Sequence, residues 1–193
     1  QVHIATFGYI DPRTKLTDMV VEAAGWLQDW GHRIHLHLVG AGTAEQVQEL
    51  TERAQELHLS GFTITGFAEE QMFCDYLLAV DCAVQLRVSP LLGVSGPLSD
   101  QAAFGTRAVA SLGLCIDVDT PEYITAIPND TSPVIVAEAV ERLLQQPMDS
   151  QAREHMRRAY LAGKTPKGYA EQLMRVITDL DGVDHQQGWA ADA

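Results

Sequence analysis

The residue types that handle phosphate are spread along the chain at the ends of short apolar runs. Ser95 and Gly96 stand just before a small-residue stretch, Ser99 to Phe104, that reads as a helix. A hydroxyl and free amides at the positive end of a helix dipole form a natural seat for a phosphate. Gly8 closes the apolar run from Val2 to Phe7, and a glycine there lets backbone approach a ligand closely. Lys15 brings an ammonium into the same turn. The chain has ten Arg but only three Lys, and Lys15 is the only Lys before residue 164, so a compact ammonium at this place suggests work that a guanidinium does differently. Gly40 and Gly42 close the second apolar run and Gly66 the third, while Arg87 follows the fourth and is placed to clamp phosphate or sugar. Asp100 supplies a carboxylate able to accept hydrogen bonds from ribose hydroxyls. Each residue also has an ordinary reading: turn glycines, a solvated lysine, a serine cap, a surface arginine, and an acid that complements a helix dipole.

His35 and His37 alternate on one face of an extended run and can in principle hold a metal. No third ligand stands at a suggestive spacing, so packed or half-exposed imidazoles are expected and no metal site is assigned. Cys74, Cys82 and Cys115 are odd in number and lack zinc or redox spacing, which fits reduced, buried thiols and a cytoplasmic protein. Arg153, Arg157 and Arg158 beside Glu154 read as a solvated helix face or a contact to a partner domain. Trp26, Trp30 and Met19 read as core or interface packing.

These residues need a scaffold that brings strand ends together. Of the 193 residues, 46% are hydrophobic and 20% charged, which is enough for one domain with a full core. Short apolar runs alternate with amphipathic stretches, the pattern of βαβ units feeding a parallel sheet, so the fold class is α/β with a Rossmann-like parallel sheet flanked by helices. Strands are expected over residues 2–7, 33–39, 62–65, 82–86 and 107–111. Helices are expected over residues 17–30, up to 58, 69–80, 99–104 and 134–146, the last with Ile135, Ala139 and Leu143 on one face. From Ser150 the chain reads as helical again, broken at Gly163 to Pro166, with a last helix over residues 169–180 and a frayed tail. The formal charge of −13 repels phosphate backbones and anionic lipid, which argues against nucleic acid or membrane-surface partners. No run is long and apolar enough to span a bilayer. The chain opens directly on a strand, which reads as a boundary with a partner domain upstream.

Taken in order, several segments resemble the C-terminal, donor-binding domain of GT-B fold glycosyltransferases of the family 4 type, the group 1 enzymes of bacterial polysaccharide synthesis. Thr6 to Ile10 with Pro12, Lys15 and Val21 to Ala23 is similar to the family's opening strand, glycine turn, lysine and first helix. Leu38 to Gly42 is similar to its second strand and turn, and Ile64 to Phe67 to the turn that lines the base pocket. Asp81 to Arg87 resembles the strand before the active-site loop, and Ser95-Gly96 through Asp100 to Thr106 the phosphate loop and helix. The resemblance covers residues 1–147 and more weakly 148–193, which would hold C-terminal helices of the same domain or a contact to the upstream one.

The resemblance implies a retaining hexosyltransferase that takes its sugar from UDP or GDP and passes it to a growing glycan, with an N-terminal acceptor domain facing this one. Gly8, Lys15, Gly40, Gly42, Gly66, Arg87, Ser95, Gly96 and Asp100 would bind the donor, and Phe67 would either pack on the base or sit in the core. No metal or other cofactor would be needed, because the cations and amides neutralise the diphosphate. Two departures stand out. The family often places an arginine where this chain has Tyr9, a role Arg13 can take over. Its two spaced glutamates fall on Asp100 and Leu92, or on Gly93 in the closest subfamily, so the acid near the reacting sugar is missing and no catalytic residue is assigned. Three other readings stand beside this one: a degenerate binding or assembly module, a nucleotide-sugar epimerase of the same build, and a Rossmann-like domain for another nucleotide.

Overall fold

The computed structural model describes residues 1–88 and 93–184. Six strands form one sheet: β1 (Val2–Phe7), β2 (Ile34–Val39), β3 (Gly61–Ile64), β4 (Cys82–Gln85), β5 (Ala108–Ser111) and β6 (Ile124–Ile127). All pairings are parallel and the order is β3-β2-β1-β4-β5-β6. The helices are α1 (Thr17–Asp29), α2 (Ala44–Glu56), α3 (Glu70–Ala79), α4 (Gly96–Phe104), α5 (Leu112–Val118), α6 (Pro133–Gln145), α7 (Ser150–Lys164) and α8 (Pro166–Asp184).

Successive strand residues point to opposite faces, and the two faces bury separate cores. On β1, Ile4 joins Leu36, Leu38, Val84 and Val109 beneath α1, α2 and α6, whose Val20, Leu27, Leu50, Val136 and Val140 cover them. Ala5 and Phe7 point the other way, into a core with Val39, Leu77, Leu98, Leu114 and Tyr123 under α3, α4 and α5. A parallel sheet covered on both faces needs near-continuous apolar strands, and those of β4 and β5 are buried throughout.

The expected strands and helices fall within a few residues of those observed, and four differences have physical causes. Helix α4 starts at Gly96 rather than Ser99, because Ser95 caps it and Pro97 fits its first turn. The small helix α5 and the strand β6 were not placed in advance. α5 follows β5 without a loop, with Ser111 serving as both last strand residue and N-cap, and β6 is a four-residue edge strand with two exposed positions. On α6 the buried stripe is Val136, Val140 and Leu143 with Ala137 and Ala139, while Ile135 is exposed. Trp26 and Trp30 are also substantially exposed on α1 and tilt against one another. The tail expected to fray, residues 185–193, lies outside the described residues.

Candidate functional site

The strand order reverses between β1 and β4, and open parallel sheets bind ligands in the crevice outside the carboxyl ends of strands at such a point. Gly8 follows β1 there and Arg87 follows β4 two residues after its end. Gly8 adopts φ +99° and its N–H donates to the Val39 carbonyl at 3.0 Å. A Cβ on Gly8 would meet Lys15 Nζ at 3.0 Å and Pro97 Cγ at 3.2 Å. The lysine ammonium, the bare glycine and the start of α4 therefore converge on one spot. Gly40 belongs to the same knot: a Cβ there would lie 1.8 Å from the Gly8 carbonyl oxygen. Gly42 packs against Ile10, where a Cβ would come within 3.0 Å of the Ile10 Cβ. The Val88 N–H donates to Thr14 O at 3.0 Å, tying the loop after β4 to the loop after β1.

Lys15 is half-buried, and burial first, then the nearby Arg87 charge, lowers its pKa from the ordinary value, with Asp11 opposing. Asp11 is occupied elsewhere: its carboxylate accepts from the Thr14 hydroxyl and from the N–H groups of Arg13 at 2.9 Å and Thr14 at 3.3 Å. Among the described residues neither Lys15 nor Arg87 forms an ion pair. Two cations that repel each other, with no ion pair to either among the described residues and only the weaker pull of Asp11 opposing, are a place where an anion lowers the energy. Arg87 also has a structural task, since its guanidinium donates to Gly93 O at 2.9 Å and its backbone N–H to Ser111 Oγ at 2.9 Å. It spans the loop whose residues 89–92 lie outside the description.

Ser95 is buried, and its Oγ accepts from Leu98 N at 3.3 Å. The serine thus serves as the helix cap, and its hydroxyl does not face solvent. Pro97 has no N–H, and the Ser99 N–H is already bonded to Ser95 O. Among the described residues that leaves the exposed Gly96 as the amide of this helix end without a partner, able to meet a phosphate. Helix α4 is pinned by Gln101, whose Nε2 donates to Gln85 Oε1 at 3.2 Å in the interior.

Asp100 stands one turn inside α4 rather than in its first turn, so the dipole-complement reading loses its geometry. Burial raises its carboxyl above the ordinary value, and no cation pairs with it among the described residues. Gly66 has φ +70° with open space where a Cβ would stand, and the preceding Thr65 hydroxyl accepts from Gly40 N at 3.1 Å. Phe67, next in the turn, is 85% exposed, so it is not a core residue; Tyr9 is 53% exposed. Leu92, one of the two positions for the missing acid, lies outside the described residues. Gly93, the other, has φ +81° and, among the described residues, no heavy atom within 4 Å of its Cβ position. A cleft of about 720 Å³ lies elsewhere, between Asp119, Tyr160, Lys164 and Tyr169.

Away from this edge, Glu154 bridges Arg157 and Arg158, which hold its carboxyl down to about 2. Arg157 also donates to the Ala103 carbonyl at 3.0 Å, joining α7 to α4. The histidines of β2 gain a third member that spacing along one strand did not show. His3 of β1 lies in register with His35, and one ring nitrogen from each of His3, His35 and His37 falls within 4.8 Å of the others. Aligning the amino ends of Val2-His3-Ile4 and Ile34-His35-Leu36 as parallel neighbours was the signal that reveals it.

No family model matches the chain, and no curated protein does. Solved structures do match. The C-terminal domain of LpcC, a glycosyl transferase group 1 family protein of Francisella tularensis, aligns with a TM-score of 0.66 at 21% identity, over 86% of this chain and 86% of that one. HepE of Anabaena, solved with UDP and glucose, aligns with a TM-score of 0.69 at 14% identity, over 93% of this chain and 48% of its own. The UDP-forming trehalose-phosphate synthase of Burkholderia xenovorans, solved with glucose-6-phosphate, gives 0.71 at 12% identity, over 91% and 43%. The chain thus has the α/β, Rossmann-like fold of a GT-B half, that of the C-terminal domains of group 1 glycosyltransferases. It spans less than half the length of the two longer proteins.

Proposed function

We propose that this domain binds the nucleoside diphosphate of a nucleotide sugar at the carboxyl edge of β1 and β4, as the donor half of a retaining hexosyltransferase in glycan or polysaccharide synthesis. The observation that carries the reading is the convergence of Lys15 on Gly8 and Pro97, beside an Arg87 that repels it. In this reading the diphosphate lies against Gly8 and Gly96, its charge offset by Lys15, Arg87 and the Gly96 amide. Asp100 accepts from the ribose hydroxyls, and the base lies on Phe67 beyond Gly66. Sugar transfer passes through an oxocarbenium-like state, and the leaving phosphate held by these cations carries away the negative charge. An upstream domain supplies the acceptor. The three free thiols support a reducing, cytoplasmic setting, and among the described residues no helix is long and apolar enough to cross a membrane.

Gly93, empty of any carboxylate, favours a second reading in which the domain binds donor without transferring it. Calorimetric titration of the folded domain with UDP, GDP, ADP and their glucose conjugates tests donor binding. One base is expected to bind preferentially, with affinity lost in Lys15→Met. Absence of heat from all of them at millimolar concentration would overturn the proposal. Joined to its acceptor domain, a protein that binds the donor but neither transfers nor hydrolyses it would establish the second reading.

A further inference from the structure

Three imidazoles meet at the amino end of the sheet, on the face covered by α3. His35 and His37 lie two apart on β2, and His3 pairs in register with His35 across the β1–β2 ladder. The spot is about 17 Å along β1 from Gly8 at ~3.3 Å per residue, well away from the nucleotide edge. The rings stack: His35 and His37 have centroids 4.1 Å apart and planes 9° apart, and His3 lies 5.3 Å from His37.

The hydrogen bonding of this stack is incomplete. His3 Nδ1 faces His37 Nε2 at 3.0 Å, an arrangement that uses at most one proton between two nitrogens. His37 is only 8% exposed, and its Nδ1 has no partner among the described residues. A buried ring nitrogen without a partner is costly, and a metal ion takes its lone pair without requiring a proton. His35 is already arranged as ligating histidines are: its Nε2 meets the Thr63 hydroxyl at 2.8 Å, which leaves Nδ1 free for a metal. Gly61 makes room for that ring, since a Cβ there would come within 2.6 Å of its atoms. Asp81 Oδ2 accepts from the His3 backbone N–H at 2.7 Å and sets a negative charge beside the cluster.

We propose that His3, His35 and His37 form a binding site for one divalent transition-metal ion of the zinc–copper class, separate from the nucleotide edge. Three imidazole nitrogens with no thiolate or carboxylate in the set suit Zn²⁺, Cu²⁺ or Ni²⁺ and not Mg²⁺ or Ca²⁺. Zn–N bonds of about 2.0–2.1 Å place tetrahedral donors roughly 3.4 Å apart. The present separations, up to 4.8 Å, close to that by rotation of the rings about their broad terminal torsions. His3 and His35 are half-exposed, which gives the ion a path in and leaves a fourth position to water. The ion would clamp the amino ends of β1 and β2, a structural role.

The test is titration of chelator-treated protein with ZnCl₂ by calorimetry, together with Cu²⁺ electron paramagnetic resonance. Binding of one Zn²⁺ per chain, a higher melting temperature with Zn²⁺, and Cu²⁺ spectra split by several imidazole nitrogens are expected. His3→Gln and His35→Gln, both at half-exposed positions, should each weaken Zn²⁺ binding at least tenfold while remaining folded by circular dichroism. Absence of Zn²⁺ uptake overturns the proposal, and so does uptake that both variants retain at full affinity. Should one variant fail to fold, the other and the Cu²⁺ spectrum of the unaltered protein decide.

Discussion

The carbonyl oxygen of Gly8 fills the space in which a side chain on Gly40 would stand, 1.8 Å from the position of its Cβ. The ends of β1 and β2 thus touch backbone to backbone at the edge where the ligand is proposed to bind. Gly40→Ala must push Gly8 away and with it the Lys15 and Pro97 contacts. The expected cost is about 1–3 kcal/mol of stability, as for other overpacked sites, with nucleotide binding lost in the fraction that stays folded. Gly66→Ala has open space and pays only for its left-handed backbone, about 1 kcal/mol. Urea unfolding of the two variants side by side checks the contrast, and equal costs would contradict the close approach.

Lys15 offers a prediction in which stability and function move in opposite directions. Its charged form is disfavoured in the fold by burial and by Arg87, so Lys15→Met should melt at a higher temperature than the parent without ligand. The same change removes a charge-assisted contact to phosphate, worth about 1.5–3 kcal/mol or roughly 10–100-fold in UDP affinity. The pH dependence follows from the sign of the shift. The ammonium loses its proton below its ordinary 10.5, so UDP affinity should begin to fall at a lower pH than an unperturbed lysine would allow. In Lys15→Met that alkaline limb should be absent from the calorimetric profile.

Much of this edge was legible in the sequence because its parts are local. A glycine closing an apolar run, a lysine in an arginine-rich chain and a Ser-Gly before a helix can each be read without knowing what lies across the sheet. Pairwise facts were not legible. Whether Ser95 faced solvent or capped α4 depended on where that helix began, and Pro97 carried the unused signal. His3 could not be joined to His35 until β1 and β2 were set in register. Tertiary burial also decided Ile135 and Phe67, which a periodicity or a residue type alone would place inside.

Phe67 separates base recognition from folding. With 85% of its surface exposed, it contributes little to the core, and Phe67→Ala should change stability by no more than about 0.5 kcal/mol. If the base lies on its ring, the same variant should lose about 1–3 kcal/mol of UDP affinity, the range for base–aromatic stacking. Pyrophosphate lacks a base, and its binding should be unaffected. Loss of both ligands alike would place the aromatic outside base recognition.

The buried pair of Gln85 and Gln101 predicts how α4 is held against the sheet. Gln101 Nε2 donates to Gln85 Oε1 at 3.2 Å, and Gln101 Oε1 has no partner among the described residues. Gln85→Met leaves the whole Gln101 amide buried without a partner, which should cost about 1–3 kcal/mol. Removing both amides removes the unmet demand, so the Gln85→Met, Gln101→Met double variant should be more stable than the Gln85→Met single. Chemical unfolding around this double-mutant cycle measures the coupling directly. Because the pair fixes α4, the Gln85→Met single should also weaken UDP binding at Gly96, and the double should regain part of it. Additive single effects would show that the two amides do not act as one contact.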